Sequence, residues 1–206
     1  MTDASISDFD RTLSHDALED RAARGASALI ALGCGEDQSV ALVMRNDLTQ
    51  LEIMRAAAKA GTILVALNWH GAPDEVTAIC DDSEAQTVII HRDLIDTLRP
   101  ALRGRRVIAV TPDAALRSTY SITDAAATAE PDFPEWDDLV AGHEPLTQPA
   151  SMRPLRRYTS GSTGRPKGIR RISSGPRRDF TDALKRIGKE VMGFKPGSHF
   201  FTAAPV

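Results

Sequence analysis

Four short apolar runs constrain the fold of this chain more than any other feature: SVALVM at 39–44, TILVALN at 62–68, TVIIH at 87–91 and RVIAV at 106–110. Each is nearly continuous in apolar residues, as a strand covered on both faces requires. The stretches between them carry helix signals. LTQLEIMRAAAKAG at 48–61 is preceded by Asn46 and Asp47 and closed by Gly61, and PDEVTAICDDS at 73–83 begins with Pro73 and acids in the first turn. DLIDTLRPAL at 93–102 predicts a shorter helix. Ahead of the first run, His15 to Leu32 shows a helical stripe of Leu18, Ala22, Ala26, Leu29 and Ile30, with Gly33 and Gly35 as its stop. Strands joined through helices pair in parallel, so the pattern predicts an α/β fold of alternating strands and helices around a mostly parallel sheet.

From Thr111 to Arg153 the sequence turns to Ala, Pro and acidic residues, which reads as a surface excursion with one helix near PEWDDLVAG at 134–142. LRRYTS at 155–160 and GIRRI at 168–172 read as strands, RRDFTDALKRIGKEVMG at 177–193 as a last helix, and HFFTAAPV at 199–206 as a buried strand. The charge divides the same way. Residues 151–206 hold 13 Lys+Arg against 3 Asp+Glu, while residues 1–150 hold 12 against 25. We therefore expect an acidic α/β subdomain over 1–150, and a basic segment over 151–206 that begins a second subdomain. A block so basic calls for a polyanion or for the acidic part of its own chain, and copies are expected to self-associate through the apolar edge of 199–206, with the charge asymmetry adding attraction.

Several function classes are excluded. The basic arginines 153, 156, 157, 165, 170, 171, 177 and 178 lack interleaved aromatics and any recognised module, so nucleic acid is not expected as a partner. No apolar run approaches the length of a membrane span, and MTDASISDFDR lacks the regions of a secretory signal, so a cytoplasmic protein is expected. Cys34 and Cys80 share no pairing pattern and the five histidines share no ligand spacing, so no metal site is expected; Trp69 and Trp136 read as packing residues.

The chemistry concentrates in YTSGSTGRPKG at 158–168. Gly161, Gly164 and Gly168 allow anionic oxygens to approach main-chain N–H groups without a Cβ in the way. Thr159, Ser160, Ser162 and Thr163 add hydroxyl donors, and Lys167 adds a cation that can follow a polyphosphate. A Walker loop is ruled out, because Pro166 precedes Lys167 and Gly168 follows it where that motif needs Gly and Ser/Thr. No GxGxxG follows a predicted strand; GCGEDQ at 33–38 is a helix stop.

At every position YTSGSTGRPKG resembles the [YF]TSG[ST]TGxPKG signature of the adenylate-forming superfamily, the acyl-CoA and aryl-CoA ligases, luciferases and peptide-synthetase adenylation domains. The order of elements from VALVMRN at 40–46 to TVII at 87–90 is similar to that family's first subdomain, and NWH at 68–70 is most similar to bacterial fatty-acyl-CoA ligases. The resemblance implies two steps: a carboxylate attacks ATP to give an acyl-adenylate and pyrophosphate, and the thiol of coenzyme A then displaces AMP. Thr159, Ser160, Gly161, Ser162, Thr163, Gly164, Lys167 and Gly168 would hold the leaving phosphates.

The family's adenine stretch, its YGxTE segment with the magnesium ligand, and its C-terminal lid with the catalytic lysine have no counterpart in these 206 residues. The resemblance therefore covers the N-terminal part of that fold. ATP, Mg2+ and coenzyme A are implied for the whole enzyme, with no catalytic residue and no metal ligand here and with a second chain as one source of the missing half. The readings left open are part of an ATP-dependent acyl-CoA ligase, inactive alone, and a non-catalytic nucleotide- or partner-binding module on the same fold.

Overall fold

A computed structural model describes residues 4–8, 11–128, 133–153, 155–159, 167–169, 186–191, 193 and 195. Strand β1 (Ser5–Asp8) and strand β2 (Arg11–Ser14) form an antiparallel hairpin and lead into helix α1 (His15–Ala31). Then follow β3 (Ser39–Val43), α2 (Leu48–Ala60), β4 (Ile63–Ala66), α3 (Pro73–Asp82), β5 (Thr87–His91), α4 (Ile95–Leu102) and β6 (Arg106–Val110). Helices α5 (Ala114–Tyr120), α6 (Asp124–Thr128) and α7 (Trp136–Ala141) precede the strands β7 (Arg156–Thr159) and β8 (Lys167–Ile169).

The main sheet runs β6-β5-β3-β4-β7-β8, with the first five strands parallel and β8 antiparallel to β7. The α/β reading holds, and the pleat explains the continuous apolar runs. Along β3, Val40 and Leu42 enter one core with α2, while Ala41 and Val43 enter the other with α3 and α4. The chain adds β4 on one side of β3 and then β5 on the other. The connecting helices α2 and α3 lie on opposite faces, as crossovers of one hand require when the direction of winding reverses.

Local signals set the element ends. Ser14 accepts a hydrogen bond from Ala17 N (3.1 Å) at the start of α1, and Asp47 accepts one from Gln50 N (2.7 Å) at the start of α2. Gly61 ends α2 in the left-handed region at φ 73, and a Cβ there would come within 2.9 Å of Ala150 Cβ. Cys34 and Cys80 are both buried as free thiols, and burial pushes the Cys80 thiol up from its ordinary pKa.

One expectation needs correction. The stretch 111–153 is not a surface excursion with a single helix, because it holds α5, α6 and α7 and places Trp136 at 0% exposure between α1 and α2. Helices of five to seven residues are too short to show an apolar period, so Ala-rich composition alone reads as linker. The hairpin β1–β2 was not foreseen either. It docks through Asp8, which accepts from Leu48 N (2.5 Å), and through Arg11, which pairs with Asp113 (3.1 Å).

Within the stretch expected as the last helix, residues 187–191 are helical with i→i+5 bonding. The strand expected at 199–206 lies outside the described residues. The basic segment does meet the acidic part of its own chain. Arg153 binds Glu36 (2.6 Å) and Asp37 (2.5 Å), and Arg156 donates to Ser83 O (3.2 Å).

Candidate phosphate-binding site

Strand β7 takes its place beside β4, with Val65 opposite Arg156 and Ala66 opposite Arg157. Its carboxyl end therefore points the same way as those of β3, β4 and β5, the edge at which open α/β sheets bind ligands. Strand β8 returns antiparallel, with Thr159 opposite Lys167, Tyr158 opposite Gly168 and Arg157 opposite Ile169. This pairing brings the two ends of the signature together on the sheet edge, Tyr158 with Gly168 and Thr159 with Lys167. Ser160, Gly161, Ser162, Thr163 and Gly164 lie outside the described residues, as do the side chains of Thr159 and Lys167.

Gly168 has a requirement that the sequence does not reveal. A Cβ there would stand 3.0–3.1 Å from the ring and hydroxyl of Tyr158, so the glycine allows the tyrosine to lie across β8. The Tyr158 hydroxyl donates to Asp82 Oδ2 at the end of α3 (2.5 Å) and ties the signature to the helix layer.

Burial and then the Asp82 carboxylate push the Tyr158 phenol up to about 12. The folded value lies above the ~10 of an exposed phenol, so the contribution of this bond is fully present below about pH 10 and lost as pH rises through 12. Wild-type chain is thus expected to lose stability between these values relative to Tyr158→Phe, measured as the difference in urea midpoint across that window. A constant difference would mean that the phenol titrates alike in both states.

The same carboxyl edge carries a polar network. Between β3 and β5, where the direction of winding reverses, the Arg45 guanidinium makes two bonds to Asp93 (3.0 and 2.9 Å), with side-chain exposures of 6% and 7%. His91, fully buried, accepts from Arg45 N at Nδ1 (3.2 Å), so its proton sits on Nε2 and goes to Asp47 Oδ2 (3.2 Å). The Arg45 guanidinium also lies 4.4 Å from the Trp69 ring and 5.0 Å from the Tyr120 ring, and these two rings meet edge-on at 5.5 Å. Arg45, Asp93 and Tyr120 carry no signal in the sequence, where Trp69 and the histidines read as packing or solvent-facing residues. Trp69 does pack against the α3–α4 core, as does Tyr158.

Among the described residues no group of three or more His, Cys, Asp or Glu side chains could hold a metal ion. No helix among them is long and apolar enough to cross a membrane.

Comparison with known proteins agrees with the signature. The chain is 28% identical over 184 residues to the 4-hydroxybenzoate--CoA/benzoate--CoA ligase of Rhodopseudomonas palustris, covering 88% of this chain and 32% of that protein. It is 27% identical over 203 residues to the L-proline--[L-prolyl-carrier protein] ligase of Pseudomonas fluorescens, covering 98% and 37%. The fold matches the crystal structure of a Brucella canis acyl-CoA synthetase with a TM-score of 0.72 at 19% identity, covering 94% of this chain and 33% of that one. The chain thus spans about a third of the length of the relatives it matches. A profile of the AMP-binding enzymes matches residues 2–171, loop and parallel sheet together, and the chain belongs to that family.

Proposed function

We propose that this chain carries the pyrophosphate grip of an ATP-dependent acid–thiol ligase, which activates a small carboxylate as its acyl-adenylate and passes the acyl group to the thiol of coenzyme A. The observation that carries this reading is the β7–β8 pairing, which sets Thr159 opposite Lys167 at the carboxyl edge of a parallel sheet. Between those two positions lie Ser160, Gly161, Ser162, Thr163 and Gly164, whose N–H and hydroxyl groups suit the β- and γ-phosphates. Holding them there would neutralise charge as it builds on the leaving pyrophosphate. The relatives act on aryl acids, on an amino acid and on fatty acids, so the carboxylate class is the broad one that the family shares. Two buried free thiols suit the reducing cytoplasm, where we place the reaction.

Among the described residues no group of three or more His, Cys, Asp or Glu could hold the magnesium that the family uses. The family's lid lysine has no counterpart among these 206 residues. Carboxylate activation then draws on residues outside this sequence, in the same polypeptide or in a second one. The 206-residue chain alone is therefore expected to show no carboxylate-dependent ATP–pyrophosphate exchange above blank. Each missing group accounts for on the order of 10²-fold in rate. Exchange clearly above blank, with any member of a panel of aryl and fatty acids, would mean that the activating groups lie within these residues.

A further inference from the structure

We propose that Arg45 is a positioning residue for the phosphate loop, acting through Trp69, and this inference rests on the reading of 158–168 as a pyrophosphate grip. Arg45 lies just past the carboxyl end of β3, two strands from β7. It is fixed at that point by the bidentate Asp93 pair, whose members are almost fully buried. A guanidinium held in this way cannot follow its surroundings, so the rings set against it follow the guanidinium instead.

Trp69 is one of those rings, and it stands in the turn that leaves β4, the strand next to β7. In that turn His70 N donates to Asn68 Oδ1 (3.0 Å) and Gly71 N to Asn68 O (2.9 Å), which gives the turn a defined shape. The register that sets Ala66 opposite Arg157 makes Leu67 and Tyr158 the next residues along, and Leu67, Trp69 and Tyr158 all pack on the α3–α4 core. Tyr158 is the first residue of the signature, and its ring fixes the approach of Gly168, the last. Arg45 thus stacks on Trp69, and Trp69 and Tyr158 share one core at the start of the loop, where the Tyr158 ring lies against Gly168. Tyr120, 42% exposed and edge-on to Trp69, closes the outer side of the set.

The test is calorimetric titration of the purified chain with pyrophosphate, read beside the urea midpoint of each variant. Arg45→Met and Trp69→Leu are expected to weaken binding by about 2- to 30-fold, the range for mutations along a coupled set of residues. Ile53→Val, in the opposite core, lowers stability without touching this set and is expected to leave the affinity unchanged. Should Arg45→Met fail to fold, Trp69→Leu decides, since it keeps the Arg45–Asp93 pair. Wild-type affinity in both folded variants, or an equal loss in Ile53→Val, overturns the proposal and leaves the grip intact. Absence of pyrophosphate binding by the wild-type chain overturns the grip and the positioning role together.

Discussion

Replacing Glu52 by alanine is expected to cost the fold about 1–3 kcal/mol, the range for leaving a buried polar group without its hydrogen-bond partner. The Glu52 side chain is 1% exposed and joins three helices. Arg21 of α1 donates to it twice (2.5 and 3.2 Å), and Trp136 of α7 donates its indole N–H (2.7 Å). Burial alone would pull the Arg21 guanidinium down, but Glu52 and then Asp137 hold it above its ordinary pKa. Alanine would leave that guanidinium with Asp137 alone and orphan the indole N–H inside the core. Glu52→Gln keeps an acceptor for the indole and should lose less. Urea denaturation of both variants measures the difference; equal and small losses would mean that the carboxylate does not bind the three helices.

The second large effect is expected at Gly25, inside α1. On helix propensity alone, alanine there would gain about 1 kcal/mol. The geometry reverses the sign. A Cβ at Gly25 would stand 2.6 and 2.8 Å from two ring carbons of Trp136 and 3.1 Å from Ala56 Cβ. Both neighbours are fully buried and neither is the free end of a flexible chain, so the ring must move and carry α7 with it. Gly25→Ala is expected to lose about 1–3 kcal/mol, the usual cost of overpacking, and Gly25→Val more. A rise in the urea midpoint for Gly25→Ala would place the Trp136 ring elsewhere.

These two positions show what reading the sequence could reach. The strands β3 to β6 were legible because a strand buried on both faces shows as an unbroken apolar run, and the ends of α2 because Asp47 and Gly61 act on their own neighbours. The layer under α1 was not. Gly25 reads as a small residue in an amphipathic helix, and its partner Trp136 lies 111 positions away in a helix of six residues. Hairpin β1–β2 carries a weak signal because its four-residue strands are mostly polar and only partly buried on one face.

The site divides in the same manner. The loop stands out in the sequence because its glycines, hydroxyls and lysine are contiguous and resemble the family signature. Arg45 and Asp93, 48 positions apart, carry no local signal of their pairing, and the sequence does not join either to Trp69. Tyr158 reads as a strand residue; its bond to Asp82 spans 76 positions and depends on where α3 ends. Contacts of this kind appear only once the sheet order is known.

On the function proposed above, the edge bearing 158–168 holds polyphosphate. Titration of the wild-type chain and of Lys167→Ala with pyrophosphate and, separately, with acetate tests it most directly. Pyrophosphate is expected to bind the wild-type chain and to bind Lys167→Ala more weakly by about 1–3 kcal/mol, the value of a charge-assisted contact. Acetate should bind neither measurably. Equal pyrophosphate affinity in the two proteins, or acetate binding as tight as that of pyrophosphate, would contradict the account.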